Sequence, residues 1–310
     1  MASPGQPVSE IAESISPRFA KQALAAVVNK QMVDLSFPLE TDSAVTFVTH
    51  DSPEALHLYR HSTAHLMAAA VTALFPEAQC GIGPPTDEGF FYDFIVNRPF
   101  VPEDLIAVEQ KMKEFAAQNL PFERRMLSKE EAKDHFHGKA EPLKVQLIDE
   151  KGGATVSCYT IGEIFIDFCT GPHVPSTGRL KAFKVLNSSN AYWKGDAQNQ
   201  PMQRIYGTAF FKESALKTHL HRLEEAKKRD HRKLGKELGL FTFHQFAPGA
   251  PFWLADGTTL YNQLSEYMRE VLYPAGYTEL RTPLVFNRQL WEISGHWEHY
   301  RENMFLVESE

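Results

Sequence analysis

Two short stretches hold most of the side chains able to do chemistry. In His61-Ser-Thr-Ala-His65 the histidines stand four residues apart. On a helix, residues four apart share a face, so both imidazoles would point the same way. In Cys169-Thr-Gly-Pro-His173 a thiol and an imidazole flank a Gly-Pro turn at the end of a hydrophobic run. Together the four make a set of three imidazoles and one thiol, chemically suited to zinc. The same set could orient and activate a water, because histidine titrates near neutrality. A zinc-peptidase helix carries Glu directly after its first histidine. Ser62 stands there instead, which argues against that chemistry. By themselves His61 and His65 would read as two surface histidines with no shared role, and it is the Cys169/His173 pair that makes a site. Asp167 precedes Cys169 by two residues and should project to the same strand face. Lys144, on another strand-like run, could supply positive charge to an oxyanion. Taken alone, Asp167 and Lys144 read equally well as an ordinary ion pair.

The elements that would position these groups begin near residue 51. Ser52-Pro53-Glu54 places a cap residue before a proline at the first helical position. The helix would run through Leu56, Leu66, Met67 and Val71 and stop before Pro76, with both histidines inside it. Residues 80–94 read as strand–loop–strand. A second helix is predicted over 102–118, and a third from Ser128, whose Glu131 completes a capping box. Strand-like runs follow at 143–148, 155–159 and 163–168, and this α+β domain ends near Phe211. Gly81-Ile-Gly83-Pro-Pro is not a phosphate loop, because no helix N-terminus follows and the prolines lack N–H donors. Its glycines suit tight turns or a close backbone approach. Gly89-Phe90-Phe91-Tyr92-Asp93 reads either as the aromatic wall of a pocket or, for Phe90 and Phe91 above all, as strand core.

On the N-terminal side, residues 11–28 carry an alanine-rich helical pattern interrupted at Pro17, and 32–35 and 45–48 read as short strands. This is little material for an independent core, so the unit is expected to lack a part lying before Met1. On the C-terminal side, 213–238 reads as one long helix with an apolar stripe at Leu216, Leu220, Leu223, Leu234 and Leu238. Its other face is net positive, with nine Lys or Arg against five Asp or Glu over 212–237. Paired, solvated charges and RNA contact both fit that face. Residues 241–243 are strand-like, 260–272 amphipathic, and 277–282 a strand ending at Pro283. No closing element is seen before Glu310.

The whole chain has 310 residues, 43% hydrophobic and 23% charged, values usual for a globular protein of two or three domains. No run approaches the ~18 apolar residues of a membrane helix, and no membrane partner is expected. No secretory signal is visible at the N-terminus. Cys80, Cys158 and Cys169 are too few for a disulfide framework, which points to a reducing cytoplasm. With a net charge of −7, any nucleic-acid contact must come from a local basic surface.

Taken in order, HSTAH, GIGPPTDEGFFYDF, DFCTGPHVPSTG, AYWKGD and QRIYGTAF resemble bacterial-type threonyl-tRNA synthetase. RLEEAKKRDHRKLGKELGL resembles the linker helix of that family, and PGAPFWLADGTTLY and LWEISGHWEHYRENMF the start of its catalytic domain. The HxxxH and CxxxH pair alone is shared with alanyl-tRNA editing domains, and the flanking motifs point to the threonyl family. The resemblance implies an α+β, multi-domain fold. It comprises a partial ubiquitin-like (β-grasp, TGS-type) domain over 1–50, an editing domain over 51–212 whose HxxxH helix packs on a sheet, a linker helix over 213–238, and over 239–310 the first part of a class II synthetase antiparallel-sheet domain. It implies that His61, His65, Cys169 and His173, with Lys144 and Asp167, form the site that hydrolyses seryl-tRNA(Thr) made in error. Related alanyl-type domains hold zinc with the same four residues, and whether zinc binds here stays open. The complete enzyme would add ATP, Mg and a second zinc and act as a homodimer, the helix and strand over 260–283 helping to form the dimer interface. Those ATP motifs and zinc ligands would follow Glu310, so this polypeptide, a fragment or a truncated form, is not expected to activate threonine. Two other functions fit the same residues: a zinc-dependent alanyl-type deacylase acting in trans, and a non-enzymatic tRNA-binding module.

Overall fold

The computed structural model describes residues 4–307. The outer ends of the first and last predicted domains, and the open end expected at Glu310, lie outside the described residues. The chain divides into two units, Met1–Glu224 and Glu225–Glu310. Both mix helix and sheet, so the α+β, multi-domain class holds.

The first unit opens with β1 (Gln6–Pro7), α1 (Val8–Ile15), α2 (Pro17–Ala20), β2 (Ala25–Val28), β3 (Gln31–Val33), β4 (Pro38–Leu39) and β5 (Val45–Val48). β1 pairs with β4, and β2 is the centre of an antiparallel sheet ordered β3–β2–β5. The helical pattern predicted over 11–28 is therefore corrected. Ser16 is extended and its side chain accepts the Phe19 N–H at 3.0 Å, starting α2, while Ala25–Val28 is a strand. Two valines and a partner on each edge outweigh the helix propensity of alanine. Side chains alternate along β2. Ala26 and Val28 enter a small core with Val8, Ala12, Val33 and Leu39, whereas Ala25 joins the large core holding Leu58 and Tyr59. The small sheet is thus covered on both faces, the second by residues of the following domain.

That domain contains α3 (Ala55–Leu74), β6 (Gln79–Cys80), β7 (Phe90–Ile95), α4 (Pro102–Ala117), β8 (Phe122–Ser128), α5 (Lys129–Gly138), α6 (Pro142–Lys151), β9 (Thr155–Ile161), β10 (Phe165–Phe168), β11 (Ala182–Tyr192) and β12 (Pro201–Phe210). One antiparallel sheet runs β11–β12–β7–β6 and another β10–β9–β8. α3 packs on β7 and β12 and against α4. Ala64, Ala68, Ala69 and Ala70 are buried on it, and their small size lets its neighbours come close. α3 starts at Ala55, later than the sequence suggests, because the Ser52 hydroxyl accepts the Thr49 N–H at 3.0 Å and closes a turn instead of capping the helix. The capping box of α5 forms as expected. Ser128 Oγ accepts the Glu131 N–H at 3.2 Å, and Glu131 accepts the Ser128 N–H at 2.8 Å. Ser128→Ala is expected to lower stability by about 0.5–2 kcal/mol in urea unfolding. An unchanged midpoint would show that this cap contributes nothing.

Lys144 lies on a helix, not a strand. The apolar run over 143–148 opens at Pro142, in the first turn of α6. Its apolar positions serve two sides at once. Leu143 and Leu147, four apart, pack with Trp193 and Met202, and Val145 and Ile148, three apart, pack with Phe136 and Val156. A helix buried on two sides lacks a single apolar stripe, so it imitates a strand.

The boundary between units falls within α7 (Glu213–Lys228). The single helix predicted over 213–238 is broken, with α8 (His231–Glu237) starting after Asp230. The Asp230 carboxylate accepts the Arg232 N–H at 2.8 Å, and Asp suits a cap better than a helix interior. Lys228 and Arg229 pair with Glu225, Arg232 with Asp230, and Lys233 with Glu237, so much of the basic face is paired. The second unit continues through β13 (Phe241–Thr242), β14 (Phe252–Trp253), α9 (Ala255–Leu272), α10 (Arg288–Ile293) and α11 (His296–Tyr300). The predicted amphipathic helix forms as α9, with Leu260, Leu264, Tyr267, Met268 and Val271 exposed. The strand predicted over 277–282 does not form. Among the described residues no strand pairs with it, and Glu279 instead ties back to Arg269 and Tyr273. No helix of the described residues is long and apolar enough to cross a membrane.

Candidate active site

α3 presents His61 and His65 one turn apart, and the chain leaving β10 brings Cys169 and His173 to the same point. One ligand atom from each of the four lies within 4.8 Å of the others. His61 Nε2 is 3.2 Å from Cys169 Sγ, and His173 Nε2 is 3.6 Å from it. The His61 and His173 rings stack at 4.5 Å, and His65 meets His173 edge-on at 4.3 Å. The Phe122 ring stacks on the His173 ring at 5.0 Å. The turn is held by local contacts: Gly171 N–H donates to Cys169 Sγ at 3.2 Å, and the Ser157 hydroxyl donates to the Cys169 carbonyl at 2.6 Å. Gly171 has φ +62 and lies against the Tyr159 ring, where a Cβ would collide with it. Glycine meets both demands.

Ser62 has a definite place in this arrangement. Its hydroxyl donates to the Leu58 carbonyl at 3.0 Å and accepts the Val174 N–H at 3.0 Å. His173 Nδ1 lies 3.1 Å from the same oxygen. Since the hydroxyl proton is used on Leu58, His173 Nδ1 carries the hydrogen and its Nε2 lone pair faces Cys169.

Behind the histidines lies a buried charged group. Asp167 forms an ion pair with Lys144 and accepts the Tyr92 hydroxyl at 2.5 Å, and Lys144 donates to Tyr92 Oη at 2.9 Å. Asp167 Oδ2 is 3.7 Å from His65 Nδ1. Burial opposes both charges, but each holds the other ionised: the Asp167 carboxyl stays below its ordinary value and the Lys144 ammonium above its own. The histidines lack so close a counter-charge. Burial, with the neighbouring imidazoles, brings His61 down to about 3, burial brings His65 to about 4, and it puts His173 well below its usual value. Burial also pushes the Cys169 thiol up to about 12. At neutral pH the site therefore holds three neutral imidazoles and a protonated thiol.

Neutral imidazoles are the form that ligates metal. Zinc bonds of about 2.0–2.3 Å imply donor separations of roughly 3.3–3.8 Å. The 3.6 Å from Cys169 to His173 falls in that range, the 3.2 Å to His61 lies just below it, and the 4.8 Å limit of the set calls for a modest contraction. His61 Nδ1 and His65 Nδ1 are buried without a hydrogen-bond partner, while Ser62 and Asp167 stand where outer partners of metal-bound histidines stand. The four residues fit a metal, zinc included.

All six residues singled out in the sequence, His61, His65, Lys144, Asp167, Cys169 and His173, come together here. Sequence reasoning missed the roles of Ser62 and Tyr92. A signal existed for Tyr92: Phe90, Tyr92 and Phe94 alternate inward on β7, and the hydroxyl on the middle one needs a buried partner. Gly83 sits so close to the Tyr92 ring that a Cβ would overlap it, in keeping with a close-approach glycine.

Residues 156–206 match the family described as threonyl and alanyl tRNA synthetase second additional domain, and residues 3–49 match the TGS domain. The chain is 50% identical over 304 residues to a protein of Teredinibacter turnerae named threonine–tRNA ligase, covering 98% of this chain and 48% of that one. It is 50% identical over 307 residues to one of Anaeromyxobacter dehalogenans (98% and 47%) and 50% over 300 residues to one of Myxococcus xanthus (96% and 47%), both of the same name. The chain spans about half the length of the curated relatives it matches. With a TGS domain, a second additional domain and this similarity along nearly all of its length, the chain corresponds to the N-terminal portion of the proteins named threonine–tRNA ligase.

Proposed function

We propose that the first unit hydrolyses the ester of mischarged seryl-tRNA(Thr). The observation that carries this reading is the convergence of His61, His65, Cys169 and His173 beside a buried Asp167–Lys144 pair. The chemical need is plain. Serine lacks one methyl group of threonine, and one such group is worth only about 1–3 kcal/mol of discrimination. A second pocket that destroys the smaller product supplies the rest.

Lone pairs of His61 and His173 accept hydrogen bonds from a water and aim its oxygen at the ester carbonyl. As the new C–O bond forms, the carbonyl becomes an oxyanion and the water's proton passes to an imidazole. The proton then moves to the ribose oxygen as the ester bond breaks, giving serine and free tRNA. Lys144 spends its charge on Asp167 and Tyr92, so its role shifts from touching an oxyanion to keeping Asp167 ionised behind His65. When bound, zinc held by His61, His65, Cys169 and His173 would supply Lewis-acid activation of water.

For the complete protein we propose ligation of threonine to tRNA(Thr) with ATP, Mg and a second zinc, as a cytoplasmic homodimer. The relatives' name supports the ligation. The test is release of amino acid from seryl-, threonyl- and alanyl-tRNA, with metal content measured on the same sample. Serine release with threonyl-tRNA spared is expected. Preference for alanyl-tRNA with one zinc per chain would favour the alanyl-type deacylase, and salt-dependent tRNA binding without turnover would favour a binding module.

A further inference from the structure

Beyond the six site residues, one side chain from outside the editing domain reaches the histidine-bearing turn. We infer that Asp34, in the N-terminal TGS-matching segment, is a positioning residue for the hydrolytic site. This rests on the ester-hydrolysis reading and extends it to a second domain.

Asp34 follows β3 directly, and Leu35 beside it is anchored in the small N-terminal core. Its two carboxylate oxygens grip two parts of the site. Oδ1 accepts the His173 main-chain N–H at 2.9 Å, and Oδ2 accepts the Tyr159 hydroxyl at 2.6 Å. The Tyr159 ring in turn meets His173 edge-on at 4.6 Å and covers Gly171. One carboxylate thereby fixes the main chain of His173 and the aromatic ring that walls the turn. Ser62 holds the same histidine from the other side, through Nδ1 and the Val174 N–H. His173 is clamped between the N-terminal domain and α3.

A cleft of about 300 Å³ runs along this junction, lined by Ser9, Glu13, Asp34, Phe122, His173 and Arg179. Arg179 crosses it to donate to the Lys21 carbonyl. The N-terminal domain is thus seated on the wall of the site, and the register of the 169–173 turn depends on that seating. Displacing a reacting group by about 1 Å costs on the order of 100-fold in rate.

The experiment uses the whole chain and three variants. Asp34→Ala removes both bonds. Tyr159→Phe removes one. Asp34→Asn keeps an oxygen for the His173 N–H and an NH₂ that can donate to Tyr159 Oη. Seryl-tRNA hydrolysis is measured as kcat and KM, and hydrogen exchange is followed in peptides covering 169–174 and α3. Asp34→Ala is expected to lower kcat about 10–100-fold with KM within about twofold, and to speed exchange over 169–174 but not over α3. Tyr159→Phe should fall between it and wild type, and Asp34→Asn should recover most of kcat. Unchanged kcat and exchange in Asp34→Ala would overturn the inference. So would faster exchange across the whole unit with kcat falling only as the folded fraction falls, which marks a merely structural role. A wild type that leaves seryl-tRNA intact would instead overturn the hydrolytic reading, and turn exchange alone would then decide whether Asp34 holds His173.

Discussion

Asp167→Asn should destabilise the first unit by roughly 3–5 kcal/mol, the usual loss when one partner of a buried ion pair is removed. The substitution keeps the shape and the contact with Tyr92 but leaves the Lys144 ammonium buried without its counter-charge. Desolvation, not the lost attraction, sets the size of the effect. Lys144→Met should cost a similar amount by exposing Asp167 to the same problem. The double variant should lose much less than the sum, because no unpaired charge remains. Urea unfolding followed at Trp193, which packs on Leu143 and Leu147 of α6, reports on this unit if Trp253, Trp291 and Trp297 are replaced by Phe. A loss below about 1 kcal/mol in both single variants would show that the pair is solvated. The pH dependence has a definite sign. Asp167, held low, contributes its stability above the ordinary carboxylate value and loses it as pH falls through the lower folded value. Lys144, held high, contributes below its ordinary value and loses it as pH rises through the higher folded value. The pair therefore contributes over the whole range from about pH 4 to about pH 10.

The parts of this arrangement that rest on local chemistry were legible in the sequence. A four-residue spacing in an alanine- and leucine-rich segment made His61 and His65 neighbours, and Gly171-Pro172 forced the turn that returns His173 toward Cys169. The capping box at Ser128 was readable because both partners lie within one turn. What stayed hidden depends on contacts distant in sequence. α6 looked like a strand because it is buried on two sides, and 25–28 looked helical because its pairing partners lie in β3 and β5. β8 gave no strand signal, since Glu123 to Met126 are all exposed and no alternation results. β11 has a bulge between Val185 and Asn187 that interrupts its own alternation. Ser62 lies inside HSTAH, but nothing in that motif points to His173, and Asp34 carries no motif. Their meaning comes only from the 112 and 139 residues that separate them from Val174 and His173 in sequence and not in space.

His61→Ala should lower seryl-tRNA(Thr) hydrolysis about 10²–10⁴-fold, the range for a positioned acid–base group. Its stability cost should be small by comparison. The cavity left behind is unfavourable, but the variant also relieves a buried Nδ1 that has no partner. Cys169→Ala should also lose activity, since Sγ joins His61 to His173. Wild-type rates in both variants would remove this site from the reaction. Cys169→Ser separates the two chemistries open to the four residues. A serine hydroxyl still hydrogen-bonds a water and both imidazoles, whereas zinc prefers thiolate. If hydrolysis persists in Cys169→Ser with no metal in the wild type, the site holds a water. If the wild type carries one zinc and Cys169→Ser loses metal and rate together, the site holds a metal. The raised Cys169 thiol makes the contrast informative, because metal binding would have to displace a proton that burial otherwise keeps in place.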